Sequence, residues 1–250
     1  MNKNSNSYIV CYATVMVVVV ATLLAVAALS LQSRQRANML GEKQNDILRS
    51  LGAEGETYDS YVEAYAVGAD GERLAGVSKD EALEMLFDLK SHFDQQCYPV
   101  FEARDGKVVL PVTGSGLWGP IWGYIALEKD MNTVAGVVFD HQGETPGLGA
   151  EIATPKHWAR YVGKTIFEGS ELRSIKLRKG GATPGDMHEV DAISGGTKTS
   201  DGVTAMLYDC LTDYLPLLKQ RIAAQTAPET EEAAETEPEL SNEENTEGNE

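Results

Sequence analysis

Residues 191–219 read DAISGGTKTSDGVTAMLYDCLTDYLPLLK, and the architecture follows from this stretch. Two adjacent glycines, Gly195 and Gly196, interrupt a run of small polar residues; beyond them come Val203, Met206, Leu207, Cys210, Leu211, Leu215 and Leu218. Spacings of three and four put those apolar positions on one face of a helix predicted over 201–219, with Pro216 kinking or ending it. A helix with one apolar stripe must bury it against another layer. The runs 107–112, 121–127, 134–139 and 174–177 supply that layer as short strands parted by Gly- and Pro-bearing turns. Ser78 caps a predicted amphipathic helix over 80–93 with Leu83, Leu86, Phe87 and Lys90 on neighbouring turns, and PKHWARY at 155–161 opens a short helix on its proline. The expected fold class is α+β: a single N-terminal transmembrane helix, then a mostly antiparallel sheet with packed helices.

Outside this domain the ends differ sharply. Residues 8–31, YIVCYATVMVVVVATLLAVAALSL, carry no charge, and as a helix they span roughly 36 Å, enough to cross a hydrocarbon core. A cleaved secretory signal is the rival reading, but the run exceeds the usual apolar region of about 7–15 residues. Residues 1–7 form a short leading segment, and 32–55 a polar connector helix whose sparse apolar positions, Met39, Ile47 and Leu51, suit lying against something else. The globular domain is expected over 56–224 and a disordered acidic tail over 225–250. The chain of 250 residues has a net charge of −17; ten Glu sit in the tail, leaving −7 for the rest. Such a chain lacks the basic face that nucleic acid requires. Lys3 on one side of the span against Arg34, Arg36 and Lys43 on the other leans weakly towards a cytoplasmic domain.

HExxH, CxxC, GxSxG and Walker motifs are absent, and His92, His141, His157 and His188 have no ligand spacing, so neither a metal nor a catalytic triad is expected. Gly147-Leu148-Gly149 begins a dinucleotide-type motif, but Ile152 stands where its third glycine belongs. Cys11 lies in the apolar span and Cys210 on the buried helix face, which reads as a free thiol. Three Gly-rich stretches remain. Residues 191–200 precede a helix whose N-terminus presents unpaired N–H groups and a positive dipole end, a natural seat for a phosphate. The bland alternative is that Thr199 or Ser200 merely caps the helix. HQGETPGLG at 141–149 combines hydroxyl, carboxylate, flexible backbone and one apolar side chain, suited to gripping a polar heteroaromatic ring. GSGLWGP at 114–120 offers Trp118 as a pocket wall.

These stretches, in order behind one apolar helix, resemble the FMN-binding domain family over roughly residues 5–222, and within it the C-subunit family of sodium-translocating NADH:quinone oxidoreductases. The resemblance implies FMN joined covalently through its phosphate to Thr197, with Asp191, Ser194, Gly195 and Gly196 shaping the loop that a flavin transferase recognises. Gly196 stands where the family more often has Ala. Thr199 and Ser200 are then expected to bind the phosphate, and Glu144, Thr145, Gly147, Leu148, Gly149 and Trp118 to contact the flavin ring. Partners implied are the other membrane subunits of such a complex, the transferase and the lipid bilayer, with the domain on the outer side of a bacterial inner membrane. Two other readings stand beside this: the G-subunit family of ion-translocating ferredoxin:NAD oxidoreductase complexes, which shares the motif, and a flavin-free anchored assembly or sensory module of the same fold.

Overall fold

The computed structural model describes residues 6–226. One helix, α1 (Asn6–Ser50), contains both the apolar span and the polar connector without a break. Side chains along 9–31 are exposed, whereas Ile47, Leu48 and Ser50 in the last turns are buried. The helix is thus long and apolar enough to cross a membrane and ends as part of the domain's core.

Next come α2 (Tyr58–Tyr61), β1 (Val62–Val67), α3 (Lys79–Glu84), α4 (Leu89–Asp94), β2 (Tyr98–Ala103), β3 (Val108–Ser115), β4 (Pro120–Leu127) and β5 (Val134–His141). These five strands form one antiparallel sheet in sequence order, with β3 and β4 paired from Val108↔Leu127 to Ser115↔Pro120. Then follow α5 (Pro155–Trp158), the short pair β6 (Phe167–Glu168) and β7 (Glu171–Leu172), β8 (Lys176–Arg178), β9 (Glu189–Asp191), α6 (Thr197–Asp213) and α7 (Leu215–Thr226).

The strands are buried on both faces, which is why they read as continuous apolar runs rather than alternating ones. Side chains of one parity, including Leu110, Ile121, Ile125 and Phe139, pack against Val203, Met206, Leu207 and Leu211 of α6. Those of the other parity, including Val109, Tyr124, Ala126 and Val138, pack against Ile47, Leu48 and Leu51, with Leu83 and Leu86 beside them. α1 runs alongside β5 in the opposite sense. Its Ser50 carbonyl lies over Gly136 near the start of that strand, while Met39 and Lys43 share a groove with Pro120, Trp122 and Gln142 near its end. Met39 is eight residues past Leu31, about 12 Å along the helix. The sheet end that carries the β3–β4 turn and the loop after β5 is therefore the end nearer the apolar span.

Several expectations change. The helix over 80–93 is broken: α3 is closed at its start by a capping box between Ser78 and Glu81, and Asp88 caps a separate α4. The intervening turn places Phe87 between Arg36 and Lys43 of α1, and Arg36 also pairs with Glu84. The strand expected over 174–177 is β8, which joins not the main sheet but β9, in parallel. The last helix stops at Asp213, and Pro216 falls in the first turn of α7, where its missing N–H costs nothing. α7 continues to Thr226, into the stretch read as tail; residues 1–5 and 227–250 lie outside the described residues. The α5 start on Pro155 and the buried free thiol of Cys210 are as expected.

Ile47 has no exposed surface and joins α1 to the sheet. Ile47→Ala should lower domain stability by about 2–5 kcal/mol, read by denaturant unfolding of the detergent-solubilised chain. An unchanged midpoint would mean that α1 ends beside the core without belonging to it.

Candidate functional site

Three loops meet around one carboxylate. Glu144, in the loop after β5, is buried to 5 % exposure. Its Oε2 accepts the hydroxyl proton of Thr199 at 2.5 Å, and its Oε1 accepts the backbone N–H of Trp118 at 2.9 Å. Its own N–H donates to Nδ1 of His141 at 3.3 Å. The carboxylate therefore ties the start of α6 to the β3–β4 turn. No side chain fits around it: a Cβ on Gly116 would stand 2.4 Å from Oε1, and one on Gly149 2.2 Å from Oε2 and 2.4 Å from the Thr199 hydroxyl. Burial pushes the Glu144 carboxyl up, but the Thr199 hydroxyl, the N–H groups of Trp118 and Leu117, and His141 together outweigh it and hold the group below the ordinary carboxylate range.

The loop from β9 to α6 is held from both sides. Arg160 donates from Nη1 to the Asp191 carbonyl at 3.1 Å, and Asp191 Oδ1 accepts the Ala182 N–H at 2.8 Å. β8, paired with β9, is itself tied to α6 where the Leu177 N–H reaches the Thr204 hydroxyl at 3.0 Å. Ser194 is exposed; Gly195 takes φ +75°, a left-handed turn under the side chain of Leu148, and buried Gly196 precedes the helix. Thr197 is the first helical residue and is half-buried, while Lys198 points to solvent.

The hydroxyls sort themselves. Thr199 and Ser200 are each 1 % exposed. Thr199 is spent on Glu144, and Ser200 Oγ accepts the Ile193 N–H at 3.0 Å. Both hydroxyls are engaged within the fold, and neither caps the helix. Whereas α3, α4 and α5 are capped by Ser78, Asp88 and Thr154, no side chain caps α6. Its first N–H groups and dipole end are left for something else.

Glu144, with each carboxylate oxygen accepting a hydrogen bond from a different loop, braces the site. Gly149 is buried as its cradle. The rim falls to Thr145 and Gly147, both exposed, and to three large apolar side chains left open: Leu117 at 53 %, Trp118 at 69 % and Leu148 at 42 %. An FMN fits this arrangement, with an uncapped helix start for the phosphate and exposed apolar groups for a ring face. Gly116, Leu117, His141 and Ile193 lie within the three Gly-rich stretches, but sequence reading gave none of them a role of its own.

The FMN-binding domain family matches residues 116–212. The chain is 34% identical over 215 residues to the C subunit of the Na(+)-translocating NADH-quinone reductase of Vibrio parahaemolyticus, covering 74% of this chain and 82% of that one. To the protein of the same name from Pseudomonas aeruginosa it is 34% identical over 239 residues, 83% of this chain and 92% of that one. Among solved structures it is similar to the C subunit of the same reductase from Parabacteroides distasonis, with a TM-score of 0.68 and 39% identity over 75% of this chain and 96% of that one. NqrC of Shewanella oneidensis gives a TM-score of 0.65 and 26% identity, covering 75% and 99%.

Glu144→Ala should cost about 2–4 kcal/mol, because the Thr199 hydroxyl and the Trp118 N–H lose their acceptor while buried. Glu144→Gln gives the pH dependence. The folded carboxyl lies below its ordinary value of 4.5, so the ionised group stabilises the fold above that pH, and this is lost as pH falls through the lower folded-state value. The variant should therefore show a flatter loss of stability below pH about 4.5 in thermal melts, and an unchanged acid limb would remove Glu144 from this role.

Proposed function

The chain belongs to the C-subunit family of Na(+)-translocating NADH-quinone reductases, and on that premise we propose that it carries FMN as a phosphodiester on Thr197 and passes electrons between neighbouring membrane subunits. It is a subunit of an NADH:quinone oxidoreductase with an FMN-binding domain, and its N-terminal helix suits a single pass through the inner membrane. The observation that carries the attachment is the division of hydroxyls. Of Thr197, Thr199 and Ser200 at the start of α6, only Thr197 is not taken up inside the fold.

Thr197 Oγ supplies the ester oxygen: a flavin transferase moves the flavin phosphoryl group to it from a flavin dinucleotide, the phosphoanhydride bond breaking as the nucleoside monophosphate leaves and the hydroxyl proton is released. The phosphodiester that results keeps one negative charge, which the uncapped N–H groups of α6 and its dipole stabilise. FMN, when bound, supplies the redox chemistry. The protein holds it: Leu117, Trp118 and Leu148 offer apolar surface to one ring face and leave an edge open for electron exchange. Tethering removes dissociation between transfers, so no substrate pocket is needed. α1 anchors the domain in the bilayer and, by running alongside β5, keeps the attachment loop at the end nearer the membrane. The domain lies on the outer side, as the family resemblance implies against the weak charge bias.

When the chain is expressed with a flavin transferase, its denatured gel band should fluoresce. Thr197→Ser should retain the fluorescence and Thr197→Ala should abolish it with the domain still folded by circular dichroism. Fluorescence surviving in Thr197→Ala would overturn the attachment, and a dark parent band would favour the flavin-free module.

A further inference from the structure

A cleft of 380 Å³ opens beside the attachment loop, lined by Ile193 and Ser194 from that loop and by Lys156, His157 and Arg160 from α5 and the turn after it. Its volume is in the range of small-molecule sites. Ser194 is three residues from Thr197, so their Cα atoms are at most about 11 Å apart, within reach of a phosphoribityl arm fixed at Thr197. We propose that this cleft receives the carbonyl-bearing edge of the tethered ring, and that Lys156 and Arg160 set the flavin's reduction potential. The proposal rests on the covalent reading above.

Arg160 is fixed. Its Nη1 donates to the Asp191 carbonyl at 3.1 Å and lies 3.9 Å from Asp191 Oδ2, so the acid only partly offsets its charge. Lys156 is exposed and has no ion-pair partner among the described residues. Glu151 and Asp191 also line the cleft. It thus offers both donors and acceptors, which suits an edge where two carbonyl oxygens flank an N–H. His157 also lines the cleft. It is 3 % exposed and its Nε2 is 3.0 Å from the Tyr161 hydroxyl, yet its buried Nδ1 has no partner among the described residues. Burial, with the charge of Arg160, lowers its pKa to about 4, so near neutral pH it adds no charge to the cleft.

The effect on potential follows from charge. Reduction by two electrons with uptake of one proton leaves the ring one negative charge richer; NADH is the ultimate donor and the quinone the acceptor in the complex to which this chain belongs. At the edge where that charge settles, Lys156 and Arg160 favour the reduced form and Glu151 and Asp191 oppose them, so removing a cation tips the balance towards the oxidised form. The two cations also favour loss of the ring N–H proton from the oxidised form, which gives a second readout.

The test uses the full chain, flavinylated in membranes by a co-expressed transferase and then solubilised. Lys156→Gln, which leaves the Arg160–Asp191 hydrogen bond in place, should be labelled at Thr197 as fully as the parent. At a fixed poise its ratio of oxidised to reduced flavin should rise about threefold, a fall of about 15 mV for a two-electron couple. The ring N–H should ionise at higher pH in an absorbance titration, and Lys156→Arg should keep the parent's values. A fully labelled Lys156→Gln with unchanged potential and ionisation overturns the proposal. Loss of labelling in Lys156→Gln alone also overturns it, assigning the cleft to docking of the transferase. An unlabelled parent instead overturns the covalent reading.

Discussion

The 2.5 Å hydrogen bond from Thr199 to buried Glu144 is the constraint on which the site depends. A carboxylate taken out of water must find donors, and here they come from two elements far apart in sequence: the start of α6 and the turn between β3 and β4. The demand fixes the neighbours. Gly116 and Gly149 are small because the carboxylate oxygens occupy the space of their side chains. With Thr199 and Ser200 turned inward, Thr197 lies at the open end of the same helix. Glu144 thus acts through architecture, tying the start of α6 to the β3–β4 turn.

The same helix shows how much was legible beforehand. Its buried stripe, Val203, Met206, Leu207, Cys210 and Leu211, was plain from spacing. Four and three residues before Val203 lie Thr199 and Ser200, which are buried by the same periodicity, whereas Thr197 is off that stripe. Starting the helix at 201 hid this, because Thr and Ser before a hydrophobic run read equally well as caps. β3, β4 and β5 were visible as apolar runs. β1 and β2 were not, since Glu63, Pro99 and Glu102 interrupt them, and β9 is three residues long. The break at Asp88 was masked by an amphipathic pattern that continues across it; contacts of Phe87 with α1, which no local pattern records, decide it.

The placing of the site near the membrane has an equally simple origin. α1 is a single element, polar beyond Leu31 yet buried again at Ile47 and Leu48, so the domain is seated on the helix by its own core and not by a flexible linker. Because α1 runs against the direction of β5, the loops at that strand's end are turned towards the apolar span. Most of the acidic excess resides in residues 227–250, outside the described residues.

Tandem mass spectrometry of the trypsin-digested, flavinylated chain tests the central claim most directly. The peptide spanning residues 180–198 contains Thr197 but neither Thr199 nor Ser200. It should carry the mass of FMN less one water, with fragments placing the addition on Thr197. The same mass on Ser194, or on a peptide beginning after Lys198, would contradict the account.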